Sequence, residues 1–236
     1  MDRDLIETLA KTRAGHLPLV VVTDLATGAK SLIEDGVARG DVAIDETLLD
    51  QAARAARGDK SQTIDLTDGR RLFLHVFNPP LRLIVIGAVH IAQSLAPMAT
   101  LAGYAVTIID PRESFATADR FPGVDLTHDW PDEALELLKP DSRTAIVTLT
   151  HDPKLDDPAL HQALRSNCFY IGSLGSRRTH QSRTERLKAA GFSDDQIARI
   201  HGPIGLDIGA KSPAEIAVAV MGQITVNLRK PQHAAG

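Results

Sequence analysis

The opening part of the chain carries two patterns of apolar residues, one with helical spacing and one typical of strands. Apolar side chains recur every three or four residues across 3–13, which predicts an amphipathic helix. The β-rich runs Leu17–Thr23 and Ala29–Glu34 then predict two strands of a small meander. Helical spacing returns after Asp45 and ends before Gly58, which we expect to close that helix in a left-handed conformation.

A hairpin signal and a pair of prolines follow these elements. The β-rich runs Gln62–Leu66 and Arg71–Phe77 flank Asp68-Gly69, a dipeptide that favours the tight turn of a β-hairpin. Asn78-Pro79-Pro80 comes next, and its prolines lack the backbone N–H that a sheet requires and hold the chain extended. We therefore expect this tripeptide to link two domains.

Beyond the prolines, strand-like apolar runs alternate with helical patterns. This alternation indicates βαβ units and a parallel sheet with helices on both faces. We therefore predict an α/β protein in which a Rossmann-type doubly wound sheet over 81–236 follows a smaller N-terminal α/β domain over 1–78. The strand-like runs are Leu83–Ile86, Val106–Ile109, Ala145–Leu149 and Phe169–Ile171.

The helices of the second domain carry start signals of their own. Asp157-Pro158 is typical of an N-cap followed by a first-turn proline. The pairs Ser193/Gln196 and Ser212/Glu215 have the spacing of capping boxes. Pro97 lies inside the apolar pattern of the first helix, where it would cost about 3 kcal/mol in a straight helix, so we expect a kink there.

Composition and charge narrow the class of protein. The 236 residues are 43% apolar, enough for a sizeable core, and the net charge of −4 provides no general attraction for nucleic acid or anionic lipid. No apolar run reaches the roughly 20 residues that span a bilayer. Cys168 is the only cysteine and precedes an apolar strand, so we expect a buried thiol, no internal disulfide and a cytoplasmic protein.

The turn after the first strand of the second domain has part of a dinucleotide-binding signature. Such a turn needs glycine at a tight bend, a second glycine against the pyrophosphate and a small residue for helix packing. Gly87 meets the first requirement, but Val89 places β-branched bulk at the second position. We interpret Gly87, Ala88, Val89 and His90 as cofactor-binding candidates. The alternative is a tight turn without a ligand.

Asp110 and Arg112 lie at the end of the next strand, and Asp110 comes 23 residues after Gly87. A carboxylate there can accept hydrogen bonds from ribose hydroxyls, and an arginine beside it can neutralise a phosphate. The alternatives are that Asp110 caps a loop and that Arg112 is solvated. An NAD(P)-dependent oxidoreductase is therefore one function that this fold permits, although Val89 argues against it.

A second glycine-rich turn joins backbone donors, hydroxyls and two guanidinium groups at the start of a helix. These are the elements of an anion-binding nest. The helix continues with Arg183, Arg186 and Lys188, which we interpret as a solvated face. The cofactor-binding candidates in this turn are Gly172, Ser173, Gly175, Ser176, Arg177 and Arg178.

Three further residues are candidates for a catalytic or ligand-facing role. His151 and Asp152 follow a predicted strand at the edge where doubly wound sheets bind ligands, and a histidine there can move a proton. Asp207 lies in a glycine-rich loop that can close over a crevice. The alternatives are a loop imidazole and turn-forming aspartates. The nine histidines lack a short metal-binding spacing, so no protein-ligated metal is expected.

Five ordered motifs together resemble the XdhC/CoxI family of molybdenum hydroxylase accessory proteins. The resemblance covers residues 81 to about 228 and is far more specific than any one motif alone. The motifs are Gly87-Ala88-Val89-His90-Ile91-Ala92, Ile109-Asp110-Pro111-Arg112, Leu149-Thr150-His151-Asp152-Pro153, the segment from Tyr170 to Thr179, and the segment from Ile200 to Ala210.

The resemblance implies a protein that binds molybdenum cofactor, or its nucleotide form, and assists its maturation or delivery. Its implied client is a molybdenum hydroxylase of the xanthine or carbon monoxide dehydrogenase type, with a sulfurtransferase as a second candidate partner and a homo-oligomer as the expected assembly. It also implies an accessory factor rather than a catalyst. An interaction module that has lost its ligand is a third interpretation.

Two features depart from the family pattern. The family has glycine where Val89 stands, and its N-terminal domain carries a Gly-Gly-Cys-Val-Glu motif that this sequence lacks. The comparable region here, Gly40 to Asp45, contains no cysteine. We therefore expect no function that depends on that thiol.

Overall fold

The computed structural model describes residues 18–34 and 36–230, and the chain divides into two compact units between Pro79 and Pro80. This division falls inside the proline segment that we expect to be a linker. The helix expected over 3–13 lies outside the described residues.

In its described residues, the first unit contains an antiparallel sheet against which helix α1 packs. The strand order is β3-β2-β1-β5-β4, with the predicted hairpin confirmed as the β4–β5 pair. Valines of β1 and leucines of β5 form the core with Leu48 and Ala52 of the helix. The elements are β1 Leu19–Asp24, β2 Lys30–Glu34, β3 Val37–Gly40, α1 Glu46–Arg57, β4 Gln62–Asp65 and β5 Arg71–Phe77.

Helix α1 begins as expected and ends differently. The Asp45 side chain caps its first turn by accepting a hydrogen bond from the N–H of Leu48 at 2.8 Å. Gly58 is right-handed, with φ −79°, and the left-handed conformation falls on Asp59, with φ +51°. The prediction for Gly58 is therefore wrong. Asn78 donates to both the Ala56 carbonyl and the Asp59 carboxylate, and aspartate tolerates this conformation better than most residues.

The second unit is built on a six-stranded parallel sheet, and the predicted fold class is confirmed. Read from β8, the order β8-β7-β6-β9-β10-β11 is the 3-2-1-4-5-6 arrangement of doubly wound dinucleotide-binding folds. The short strands β8 and β11 were not predicted, because two or three residues carry no readable period. The strands are β6 Leu81–Ile86, β7 Tyr104–Ile109, β8 Asp125–Thr127, β9 Thr144–Thr148, β10 Tyr170–Ser173 and β11 Ile200–His201.

Helices cover both faces of this sheet, so successive residues of a central strand are buried on opposite sides. Leu83 and Val85 pack in the core that contains residues of α2 and α7, whereas Ile84 and Ile86 pack in the core that contains residues of α3 to α6. The helices are α2 His90–Leu101, α3 Pro131–Leu138, α4 Pro153–Arg165, α5 Arg177–Ala189, α6 Asp194–Ile197 and α7 Pro213–Arg229.

The helix starts correct one prediction and confirm two. Helix α4 is capped by Asp152 with Pro153 at its first position, so the start predicted at Asp157-Pro158 is wrong and Pro158 lies inside the helix. The same dipeptide chemistry occurs five residues earlier, directly after the loop that leaves β9. The capping boxes that begin at Ser193 and Ser212 are both formed. Pro97 does not end α2, which continues to Leu101, and the expected kink stays a prediction.

The glycine after β6 is required by its surroundings as well as by its backbone. Gly87 has φ +106°, and a Cβ added there would lie 2.5 Å from the Thr150 methyl group. Gly103 has a similar φ of +89°, but nothing lies within 4 Å of an added Cβ. The two glycines therefore differ in steric contact and share their conformational constraint.

We expect Gly87→Ala to lower the free energy of unfolding more than Gly103→Ala. Both variants place a methyl group at positive φ, which costs about 1–2 kcal/mol, and Gly87→Ala adds a steric conflict of about 1–3 kcal/mol. Chemical denaturation of both variants measures the difference. Equal losses would show that the loop after β6 moves away from Thr150 without cost.

Candidate functional site

The carboxyl ends of β6 and β9 form the point where the chain direction across the sheet reverses. Strand β6 pairs with β7 on one side and with β9 on the other, and the helices that follow β6 and β9 cover opposite faces. Doubly wound sheets bind ligands in the crevice at this position. The close approach of Gly87 to Thr150 shows that the loops after β6 and β9 meet there.

The loop after β6 presents few side chains to solvent. Gly87 and Ala88 are buried, Val89 is half-buried and His90 is exposed as the first residue of α2. Val89 occupies the N-cap position and has no side-chain acceptor for the first-turn N–H groups, whereas α4 and α5 are both capped by side chains. The start of α2 is thus a helix N-terminus capped by no side chain, the type of position that favours an anion.

Asp110, predicted to face ribose, is fully buried and fully hydrogen-bonded within the protein. One carboxylate oxygen accepts from the Ala88 N–H at 2.8 Å and from Arg112 Nη2 at 2.7 Å. The other accepts from the Arg112 N–H at 3.0 Å and from Arg112 Nε at 2.8 Å. A ribose hydroxyl would have to displace one of these donors. The observed role of Asp110 is to tie the loop after β6 to the loop after β7.

The same contacts set the charge state of Asp110. Burial opposes the carboxylate charge, but the hydrogen bonds from the Arg112 side chain and from the Ala88 and Arg112 N–H groups outweigh it and lower the pKa of Asp110 below its usual value. The Arg112 guanidinium also stacks on the ring of Phe115, with its central carbon 4.4 Å from the ring centroid. Arg112 is therefore held in place and not free in solvent.

The glycine-rich turn after β10 divides into a buried half and an exposed half. Gly172 and Ser173 are buried, and the Ser173 hydroxyl is hydrogen-bonded to Thr148, so a ligand contact by Ser173 stays a prediction. Gly175 has φ +136°, which suits glycine. Ser176 caps α5 by accepting from the Thr179 N–H at 3.1 Å, and the exposed Arg177 and Arg178 occupy the first turn of the helix.

A pocket of about 270 Å³ lies between the first turn of α4 and the first three turns of α5. Arg178 lines it, whereas Arg177 does not. The start of α4 contributes His151, Pro153 and Asp156, and α5 contributes Arg183 and Arg186. The pocket therefore joins the loops after β9 and β10, which the sequence pattern presents as separate candidates.

Two buried charged residues of this pocket were not predicted from the sequence. Arg183, expected on a solvated face, is only 2% exposed and donates from Nη2 to the Leu174 carbonyl at 2.8 Å. Asp156, also 2% exposed, accepts from the Thr150 hydroxyl at 2.7 Å. For Arg183, helical spacing could have predicted burial, because it stands four residues before the buried Leu187 on the inward face of α5.

Arg186 and Lys188 of α5 lie on the solvent-facing side of the helix, as the sequence predicts. Arg186 is half-exposed and forms an ion pair with Asp157, with Arg186 Nη2 and Asp157 Oδ1 2.9 Å apart. Lys188 forms an ion pair with Asp194 at 2.6 Å, with its side chain 51% exposed. These two residues face solvent, whereas Arg183 does not.

The three remaining candidates lie in different surroundings. His151 is exposed, lines the pocket and adopts φ +63°, a conformation uncommon for a residue with a side chain. Asp152 caps α4 by accepting from the Lys154 N–H at 2.9 Å, the structural role given above as its alternative. Asp207 is exposed in the loop before α7 and does not line the pocket.

The fold and the site together define a Rossmann-type domain with a positively charged pocket at its ligand-binding edge. A family model described as the XdhC Rossmann domain matches residues 83–224, more than half of the chain. The chain belongs to this family, as the five motifs predicted. The described helices include none that is long and apolar enough to cross a bilayer.

Three curated relatives match the chain, and two of them carry names connected with xanthine dehydrogenase or molybdenum cofactor. The chain is 32% identical over 154 residues to a probable xanthine dehydrogenase subunit of Bacillus subtilis (strain 168), covering 65% of this chain and 44% of that protein. It is 29% identical over 148 residues to the molybdenum cofactor insertion chaperone PaoD of Escherichia coli (strain K12), covering 63% and 40%. The uncharacterized protein YqeB of the same strain is 29% identical over 195 residues, covering 77% and 35%.

The chain spans less than half the length of these relatives. A crystal structure described as a xanthine dehydrogenase from Bacillus halodurans matches with a TM-score of 0.73 at 24% identity, covering 96% of this chain and 67% of that one. At that identity, the similarity shows the fold.

We expect Asp110→Asn to lower the free energy of unfolding by about 1.5–3 kcal/mol, since it replaces a buried, charge-assisted network by an amide that faces hydrogen-bond donors. Asp68→Asn is the matched control. Asp68 accepts from the N–H and Nε of Arg70 two residues later, as Asp110 does from Arg112, but at an exposed turn. Chemical denaturation should show a much smaller loss for Asp68→Asn.

The loss caused by Asp110→Asn should also depend on pH. Because the folded pKa of Asp110 is lowered, its stabilisation is fully present above the unfolded pKa and is lost as the pH falls towards the folded value. The difference between wild type and variant should therefore shrink below about pH 4. A constant difference across acid pH would show that the carboxylate charge is not the source.

Proposed function

We propose that this chain is an accessory factor that binds molybdenum cofactor and assists its maturation or its delivery to a molybdenum hydroxylase of the xanthine or carbon monoxide dehydrogenase type. The observation that carries the proposal is the match of residues 83–224 to the XdhC Rossmann domain. A relative named as a molybdenum cofactor insertion chaperone supports the same role. The cofactor is cargo in this proposal, and the chain itself performs no chemical step.

The ligand-binding edge suits a phosphate-bearing cargo of this kind. Nε and Nη1 of Arg183 are buried and have no hydrogen-bond partner among the described residues, so the site holds donors that a bound anion would satisfy. The uncapped start of α2 adds further N–H groups at the crevice. Arg178 and His151 supply exposed polar groups on the same side. Together these residues would bind and orient a negatively charged cofactor.

The proposed partners follow from the same role. The client is a molybdenum hydroxylase that lacks its cofactor, and a sulfurtransferase that modifies the cofactor is a second proposed partner. A homo-oligomer is the proposed assembly, which sedimentation velocity would measure directly. The match covers less than half of each relative, so we also propose that the part this chain resembles is the part that binds the cofactor.

An NAD(P)-dependent oxidoreductase is the alternative that the 3-2-1-4-5-6 strand order favours. Two observations count against it. The carboxylate of Asp110, at the usual ribose-binding position, is saturated by internal donors. Val89 stands at the position where a second glycine would let the backbone approach a pyrophosphate, and it is only half-buried there.

The test measures cofactor binding and transfer by the purified chain. We expect the chain, incubated with molybdenum cofactor without oxygen, to retain molybdenum and pterin through gel filtration. We also expect it to increase the fraction of a cofactor-free molybdenum hydroxylase that becomes active. The same cofactor added to the hydroxylase without the chain is the control.

NADH and NADPH form the second arm of the test. A ligand at 100 times its Kd stabilises the folded state by about 2.7 kcal/mol, which for a domain of this size raises Tm by roughly 5–10 °C. We expect no such rise with either nucleotide. A rise with NADH or NADPH, together with no retention of molybdenum, would overturn the proposal in favour of the oxidoreductase.

A further inference from the structure

The pocket between α4 and α5 carries more positive than negative charge. Arg178, Arg183 and Arg186 line it, and of these only Arg186 has a carboxylate partner among the described residues, Asp157. Asp156 is the one acidic residue that lines the described pocket. Its carboxylate accepts from Thr150 and not from Arg183, whose nitrogens are either unpartnered there or bonded to a carbonyl group. Within the described residues, neither Arg178 nor Arg183 therefore forms an ion pair, although Asp156 and Asp157 lie near enough to Arg183 to interact with its charge.

Arg183 is the buried charged group of this pocket whose hydrogen-bond donors are least satisfied. Its side chain is 2% exposed, and a single hydrogen bond, from Nη2 to the Leu174 carbonyl, satisfies only part of the guanidinium. Nε and Nη1 have no partner among the described residues. Unpaired buried donors of a charged group are costly, so they are rare in folded proteins unless a ligand or another partner satisfies them.

Asp156 does not neutralise Arg183 by direct contact. Burial raises the pKa of Asp156, an effect that its hydrogen bond from Thr150 and the nearby charge of Arg183 only partly offset. The neutral form of the carboxyl group is thereby favoured relative to an exposed aspartate. Burial also lowers the pKa of Arg183, and the nearby charges of Asp156 and Asp157 offset that effect only in part, so a bound anion would favour the charged guanidinium group.

The surrounding backbone also favours a negatively charged ligand. Helices α4 and α5 are 13 residues long, and both begin at the pocket, where Pro153 and Arg178 line it from their first turns. Two helix N-termini add partial positive charge at the same place. A volume of about 270 Å³ accommodates a tetrahedral anion and part of a molecule that carries it.

We propose that this pocket binds a phosphate dianion, either free or as a monoester, with Arg183 holding it from the buried side and Arg178 from the exposed side. A phosphate has several acceptor oxygens and matches the planar fork of a guanidinium group. The proposal goes beyond the cargo role, because it concerns the ligand group of this pocket whatever molecule carries it. Free inorganic phosphate and the phosphate end of a larger cofactor are the two sources of this group.

The test is a titration of the purified chain with inorganic phosphate and with phenyl phosphate. Chloride holds the ionic strength constant, ³¹P NMR reports the bound ligand, and thermal unfolding gives the rise in Tm. We expect saturable binding of both probes. Tighter binding of phenyl phosphate identifies a carried phosphate as the preferred ligand, whereas equal binding identifies the free anion, and both results support the proposal.

Variants locate the bound phosphate. We expect Arg178→Ala to weaken binding at least tenfold, since one charge-assisted contact is lost. Arg177→Ala removes the same charge from the neighbouring residue outside the pocket, so its effect should stay within about threefold. Arg165→Ala, an exposed arginine at the other end of α4, is the control for net charge. Arg183→Met should abolish the phosphate-dependent rise in Tm.

Two results would overturn the proposal. One is the absence of saturable phosphate binding by the wild type at millimolar concentration. The other is an equal loss of binding in Arg177→Ala and Arg178→Ala, which would indicate attraction by general charge. If Arg183→Met fails to fold, the comparison of the two exposed arginines still decides the question.

The outcome is separable from the cargo test. Phosphate binding that depends on Arg178, without retention of molybdenum cofactor, would leave the pocket assignment standing and remove the cargo role. Retention of molybdenum cofactor that is unaffected by Arg178→Ala, with no phosphate binding, would do the reverse.

Discussion

The parallel pairing of β6 with β9 is the constraint on which the site depends. It places the loops after these strands side by side, and there Gly87 leaves room for Thr150. Thr150 in turn hydrogen-bonds the buried Asp156 of α4. A contact at the edge of the sheet is thereby connected to the pocket between α4 and α5.

Two buried charged groups near this edge illustrate opposite outcomes. The Asp110 carboxylate accepts four hydrogen bonds from protein donors, so nothing remains for a ligand to satisfy and its role is to join two loops. Arg183 is equally buried but has two nitrogens without a partner among the described residues. Because buried polar groups are normally paired, the unsatisfied group is the better indicator of a binding site.

The fold by itself permits several chemistries, and its strand order is shared with dinucleotide-dependent enzymes. Family membership and the local features of the edge favour a different use of the same architecture. Val89 and the saturated Asp110 count against a conventional dinucleotide site. The charge of the neighbouring pocket instead favours an anionic cargo, which is consistent with the accessory role proposed for this chain.

The sequence by itself determined the α/β class, the central strands and the capping boxes at Ser193 and Ser212, because these depend on short-range periodicity and local hydrogen bonds. The five ordered motifs likewise sufficed for the family. The start of α4 was predicted five residues too far along the chain, because two aspartate–proline pairs both have the chemistry of a helix start. Only the position where β9 ends shows that Asp152 is the cap. The pairing state of Asp110 and the burial of Arg183 were decided by tertiary structure. Asp110 accepts three hydrogen bonds from Arg112, two residues later, and one from Ala88, 22 residues earlier, whereas Arg183 donates to Leu174 in the loop before its own helix. Residue spacing alone does not reveal how deeply these groups are buried or which of their polar atoms find a partner.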